Sequence, residues 1–372
     1  MADRLYQVIE ECRPALIAFV GLAKNTGKTE ALNQAAEELA ARNRRLGLLS
    51  YGRDGEEIDE ITRQKKPAVR VPPSTYFITV EGSIRSGEEF CREIKPLDID
   101  TPLGQVKLYQ SSPHLSGPLE VVLAGINRRS RLWKAKKMLL EFCDFVLADG
   151  ALDRRSSALP GLAEGVILST GAVLGYTPAR VVEKTDEMLR IFSLPLCDKD
   201  FPGRRFQEMI DKDDKDRGES PGEIYLKGGE GLERYQLKSS TSFGLKQELQ
   251  NLICEDAEFT AALRKSAESY LLLHGAFTDS LAGFLASQDI LQGLTVVVRD
   301  PIHVFIDGSE LKALEKNGIE LKLRERINLL AITVNPHNPQ GPDLSGEEIV
   351  RGLKEHWPEL PTFDIKAESY QE

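Results

Sequence analysis

Residues Leu16 to Leu32 read LIAFVGLAKNTGKTEAL, an order that few folds accommodate. A short apolar run, Ile17-Ala18-Phe19-Val20, stops at Gly21, and Gly27-Lys28-Thr29 then opens a segment rich in Ala, Leu and Glu. Strand, glycine-bounded loop and helix in that order make a phosphate cradle. Successive backbone N–H groups of such a loop point inward and form a nest for phosphate oxygens. The positive end of the following helix adds to the attraction. Lys28 is placed to reach the terminal phosphates, and the Thr29 hydroxyl to hold a magnesium ion. Gly21, Lys24, Asn25, Thr26 and Gly27, with Lys28 and Thr29, are the candidate nucleotide contacts.

A chain of 372 residues has room for one large α/β domain or two ordinary ones. No apolar run approaches the roughly 18 residues of a membrane span. The amino terminus, MADRLYQVIEEC, carries acids where a secretory signal would be basic and then apolar, so the expected location is cytoplasmic. Cys12, Cys91, Cys143, Cys197 and Cys254 are scattered, with no C-x-x-C pair, and are expected to be buried free thiols. A net charge of −10 argues against a general nucleic-acid surface and leaves the basic stretch Asn127–Lys137 as a local exception.

After the loop, the apolar spacing predicts a helix over Glu30–Asn43 and a buried strand over Leu46–Tyr51. In doubly wound sheets ligands gather at the carboxyl ends of strands, which puts Asp54 within reach of the magnesium ion, directly or through water. Glu56, Glu57 and Asp59 crowd the same stretch, so a solvated acidic turn is an equal reading. Residues 62–117 read as an insertion, with short strands at Tyr76–Val80 and Gly104–Gln110 and a helix over Gly82–Glu93. Core strands resume at Leu119–Gly125, followed by a loop whose arginines suit phosphate, a partner or solvent. Cys143-Asp144-Phe145-Val146-Leu147-Ala148-Asp149-Gly150 is a second signal, a buried strand ending in Asp-Gly. A lone acid at such a tip suits the orientation of magnesium or its water. Gly165–Gly171 is a further strand, followed by a helix to Phe192.

The expected division is a nucleotide-binding domain over 1–198, a linker or flap over 199–242, and an α/β region over 243–372. That last region is either a second lobe or a continuation of the first sheet. The fold class is α/β, a doubly wound and mainly parallel sheet. Two late loops follow strands: His274–Asp279, where Thr278 or Asp279 suits a helix cap, and Asn335-Pro336-His337, a rigid turn or a base contact.

The gap of five residues between Gly21 and Gly27, with Asp149-Gly150-Ala151, resembles the dethiobiotin synthetase, cobyrinate amidase and ParA-like branch of P-loop NTPases. Dethiobiotin synthetases share the five-residue gap, and have Glu-Gly-Ala-Gly where this chain has Asp149-Gly150-Ala151-Leu152. ParA-type members add a lysine at the place of Ala23, whereas here Lys24 stands one place later. The branch places an asparagine on adenine after a late strand, which implies that role for Asn335. The GTP-specific N-K-x-D motif is absent after Gly165–Gly171, which favours ATP and leaves GTP open. The combination GLAKNTGKT, VLADGALDR and TVNPHNP is also similar to the small subunit of the reactivating factor for adenosylcobalamin-dependent lysine or ornithine aminomutases. That resemblance implies Mg-dependent ATP hydrolysis coupled to work on a client enzyme, with a second ATPase subunit; a homodimer is also open. The alternative is an ATP-dependent ligase or kinase that activates a small-molecule carboxylate. A ParA-like nucleotide switch is the third reading, disfavoured by the displaced lysine and the acidic net charge. In the first reading, Lys28, Asp54 and Asp149 are the catalytic candidates, and Thr29, Asp54 and Asp149 the metal ligands.

Overall fold

The computed structural model describes residues 5–51, 68–101, 104–115, 117, 119–126, 129–150, 162–198, 222–228, 231–239 and 241–366. From the amino terminus, α1 (Leu5–Cys12) leads to β1 (Leu16–Gly21), α2 (Lys28–Ala40) and β2 (Leu46–Tyr51). Next come β3 (Tyr76–Val80) and the hairpin of β4 (Cys91–Thr101) and β5 (Gly104–Ser111). Then follow α3 (Arg129–Leu140), β6 (Phe145–Gly150), β7 (Gly165–Gly171) and α4 (Pro178–Phe192). A second hairpin, β8 (Gly222–Gly228) and β9 (Gly231–Leu237), precedes α5 (Ser242–Glu255) and α6 (Ala257–Lys265). Alternation resumes with β10 (Glu268–Leu273), α7 (Asp279–Ala286), β11 (Leu294–Val298), α8 (Gly308–Lys316) and β12 (Glu320–Leu323). The strand β13 (Leu329–Asn335), α9 (Gly346–His356) and β14 (Thr362–Asp364) follow. Strands of two or three residues elsewhere are left unlabelled.

The chain divides into two compact units, Met1–Asp186 with Asn328–Glu372, and Glu187–Ile327. The region from 243 onward is therefore not one piece: through Ile327 it belongs to the second unit, and from Asn328 it returns to the first. Of the stretch read as a linker, residues 199–221 lie outside the described residues, whereas Gly222–Gly228 and Gly231–Leu237 pair as the β8–β9 hairpin.

In the first unit the strand order is β14-β13-β7-β1-β6-β2-β3-β5-β4. Pairing is parallel from β14 to β3, and β5 and β4 add antiparallel at the far edge. The central strands are apolar throughout because both faces are covered, the usual condition of a parallel sheet. Leu46 and Leu48 of β2 join a core with the α2 stripe Ala31, Leu32, Ala35, Ala36 and Leu39. Gly47, between them, faces the other way, against Leu139 of α3 and the Cys143 thiol. The first sheet is thus wound on both sides. Burial pushes the Cys143 thiol up to about 12. Cys12 and Cys254 are exposed, so burial does not extend to all five thiols.

Two expectations for 62–125 are corrected. The helix expected over Gly82–Glu93 is extended chain instead, with a strand at Ile84–Ser86, a single turn at Glu88–Phe90 and the start of β4. The core strand expected at Leu119–Gly125 is reduced to the two-residue strands Glu120–Val121 and Gly125–Ile126. The edge of β2 explains this: β3 pairs with Gly47 and Leu48, leaving only Ser50 and Tyr51 for Gly125 and Ile126. The inserted segment is therefore part of the sheet.

The second unit carries the order β9-β8-β10-β11-β12, antiparallel through β10 and parallel from β10 to β12. Leu249, Phe259, Leu281 and Leu314, one from each of α5 to α8, pack in a single core with Leu273, Val298 and Leu323. Among the described residues no helix is long and apolar enough to cross a membrane.

Candidate functional site

The loop from Gly21 to Thr29 stands at the carboxyl end of β1. From β1 the chain goes to β2 on one side, and from its neighbour β7 the sheet continues to β13 on the other. The carboxyl ends of β1 and β7 thus flank the reversal of strand order, where open α/β sheets leave a crevice.

Local chemistry shapes the loop. Leu22 N donates to Ser169 O at 2.9 Å, which ties its start to β7. The buried Thr26 hydroxyl donates to Ala23 O at 2.9 Å and packs on Gly21, where any side chain would collide with it. Thr26 therefore holds the turn closed. The backbone enters the left-handed region at Asn25 (φ 63°) and Gly27 (φ 81°). Such reversals turn successive N–H groups toward a common concavity. Gly27 is also the N-cap of α2 and provides no side chain to satisfy the first-turn N–H groups. Lys24 and Asn25 are exposed on the outer side of the turn, and Thr29 is half-buried in the first turn of α2.

The two strongest sequence signals meet here. Register places Asp149 of β6 opposite Phe19 of β1, two residues before Gly21. Lys28 Nζ lies 2.7 Å from Asp149 Oδ1, with the side chains 25% and 21% exposed. The contact is an ion pair out of hydrogen-bond alignment, so buried Asp149 Oδ1 has no hydrogen-bond donor among the described residues. Asp54 lies outside the described residues.

Asn335, at the carboxyl end of β13, reaches the loop directly. Its Nδ2 donates to Asn25 O at 3.2 Å and its Oδ1 accepts from His337 N at 3.2 Å. Its Cβ lies against Gly27, beside Ile365, and the side chain is 7% exposed. Both ends of the amide are engaged, so Asn335 braces the loop. Ser169 and Ile365 escaped sequence reasoning. Nothing local to either residue signals a loop more than 140 positions away.

No protein-family model, curated protein or solved structure matches this chain.

Among the described residues no group of three or more His, Cys, Asp or Glu side chains could hold a metal ion. Magnesium on a nucleotide needs less, because phosphate and water oxygens fill most of its octahedron. One hydroxyl and one carboxylate, Thr29 and Asp149, suit that demand. The basic stretch Asn127–Lys137 is not a continuous surface. Lys136 turns inward, 2.7 Å from Leu162 O and 2.5 Å from Glu164 Oε1, while Glu164 Oε2 accepts from Leu16 N at 2.6 Å. It anchors α3 to the starts of β1 and β7.

Proposed function

We propose that the Gly21–Thr29 loop binds the phosphates of a magnesium nucleoside triphosphate, ATP ahead of GTP, and that its hydrolysis drives conformational work on a protein partner. The observation that supports this most directly is the 2.7 Å approach of Lys28 Nζ to Asp149 Oδ1, a loop cation and a strand-tip anion side by side. When phosphate enters, Lys28 exchanges the Asp149 carboxylate for phosphate oxygens, and the uncapped N–H groups at the start of α2 converge on the same charge. Asp149, released, presents its Oδ1 to a metal-bound or attacking water. Magnesium, when bound, neutralises phosphate charge, and the Thr29 hydroxyl with the Asp149 carboxylate are the oxygens available to hold it. The likeness of the three motifs to the aminomutase reactivating factor makes a cobalamin-dependent aminomutase the first client to test.

Titration of the protein with ATP and magnesium, beside Lys28→Ala, tests the reading. Loss of the lysine removes a charge-assisted contact and should weaken ATP binding about tenfold or more. Unchanged affinity and turnover in Lys28→Ala would rule the loop out as a phosphate site. Asp149→Asn should lower turnover far more than binding, and EDTA should abolish turnover. ADP release that requires a small carboxylic acid instead of a protein would identify a carboxylate-activating ligase.

A further inference from the structure

The carboxyl edge of the first sheet carries an aromatic side chain that takes no part in its packing. Tyr176 is 87% exposed. The other exposed aromatic described in this unit, Trp133, is 37% exposed and has Lys136 Nζ 5.1 Å from its ring centroid. The place of Tyr176 follows from its neighbours. β7 ends at Gly171, a single turn at Ala172–Leu174 follows, and Gly175 N donates to Ala172 O at 3.4 Å. A turn of that kind rises only about 2.0 Å per residue, so Tyr176 stays close to the end of β7. The Thr177 hydroxyl then accepts from Arg180 N at 3.3 Å and caps α4. An apolar residue just before such a cap ordinarily packs on the fourth helical residue. Tyr176 instead stands in solvent, while Val181 at that place is fully buried.

Strand order decides what passes this point. In the proposed phosphate site Lys28 and Asp149 mark the terminal phosphate, and Asp149 stands on β6, to one side of β1. β7 and then β13 lie on the other side. A triphosphate with its terminal group beside β6 therefore runs its nucleoside end toward the carboxyl ends of β7 and β13. The loops there are joined. Gly171 packs against Asn335 O too closely for any side chain, and Asn338 Nδ2 donates to Ala172 O at 3.5 Å. Two rings stand on these loops, Tyr176 after β7 and His337 after β13. His337 is already held, with Nδ1 2.8 Å from Asp343 Oδ1 and its backbone N donating to Asn335 Oδ1. The Tyr176 ring is left to solvent.

Resting on that reading of the loop, we propose that Tyr176 selects the nucleotide base: the base stacks on its ring, and the site takes purine nucleoside triphosphates ahead of pyrimidine ones and of bare triphosphate. An exposed flat ring gains most from a large flat partner. Stacking of a base on an aromatic side chain tolerates changes in the base's substituents, because every base has a π face. Tyr176 therefore separates purine from pyrimidine by ring size and treats adenine and guanine alike.

The test is calorimetric titration of the full-length protein, with magnesium, against ATP, GTP, CTP and inorganic tripolyphosphate. ATP and GTP should bind more tightly than CTP. Tyr176→Ala should weaken ATP and GTP about tenfold each, weaken CTP less, and leave tripolyphosphate unchanged. Tyr176→Phe should keep the purine affinity, since the ring and not the hydroxyl makes the contact, and circular dichroism should show both variants folded. A Tyr176→Ala protein that prefers ATP to tripolyphosphate as strongly as the unaltered protein does would overturn the proposal and leave the phosphate site standing. So would loss of the purine preference in His337→Ala alone, which moves the base to the other loop. Failure of both ATP and tripolyphosphate to bind would remove the phosphate reading, and the role of Tyr176 with it.

Discussion

At Gly27 two penalties coincide: a left-handed backbone and a missing Cβ that would lie 2.8 Å from Asn335 Cβ and 2.6 Å from Ile365 Cδ1. Gly27→Ala should therefore cost about 2–4 kcal/mol in urea unfolding, more than the left-handed conformation alone explains. Asn335→Ala separates the two roles open to that residue. As a brace for Asn25 O it should weaken ATP and GTP alike, whereas a base contact would make the loss selective for one nucleotide. Charge at the strand starts makes a pH prediction. The Arg45 guanidinium beside Asp144 holds its carboxyl below the usual carboxylate range. A depressed folded value stabilises above the unfolded carboxylate pKa of about 3.9, and the gain is lost as pH falls through the folded value. The stability gap between the protein and Asp144→Asn should accordingly be small at neutral pH, because the pair is largely exposed, and should vanish in acid.

Among the elements, the buried parallel strands were legible and the sheet's far edge was not. β1, β2, β6, β7 and β11 are apolar runs bounded by glycine or charge, because helices cover both faces or one face closes on a helical core. β4 reads CREIKPLDIDT, polar and interrupted by proline, as suits an edge strand with one side open to water. Glu88, Glu89 and Glu93 favour a helix over the preceding stretch, and pairing of β4 with β5 from Cys91 overrides that propensity. Phe77 of β3 anchors this edge, fully buried and stacked on Tyr109 of β5 at 5.5 Å between ring centroids. Phe77→Ala should cost about 3–5 kcal/mol in chemical denaturation. A much smaller value would mean that the hairpin packs without it.

For the whole molecule, the chain leaves the first sheet after β7, builds a second α/β unit, and comes back through β13 and β14. Both motifs of the proposed phosphate site precede Asp186, yet a chain truncated there lacks β13 beside β7 and the Asn335 and Ile365 that seat Gly27. Such a truncation should fail to fold cooperatively and to bind ATP, as followed by circular dichroism and titration. Retention of both properties would show that the returning strands are dispensable.

The local order of strand, glycine loop and helix, and the acid at the tip of β6, follow from sequence because each is set by neighbours within about one turn or strand length. Tertiary structure alone decided that Lys28 meets Asp149 and that Asn335 braces the loop. Those contacts join residues far apart in the chain, and only strand order and register bring them together.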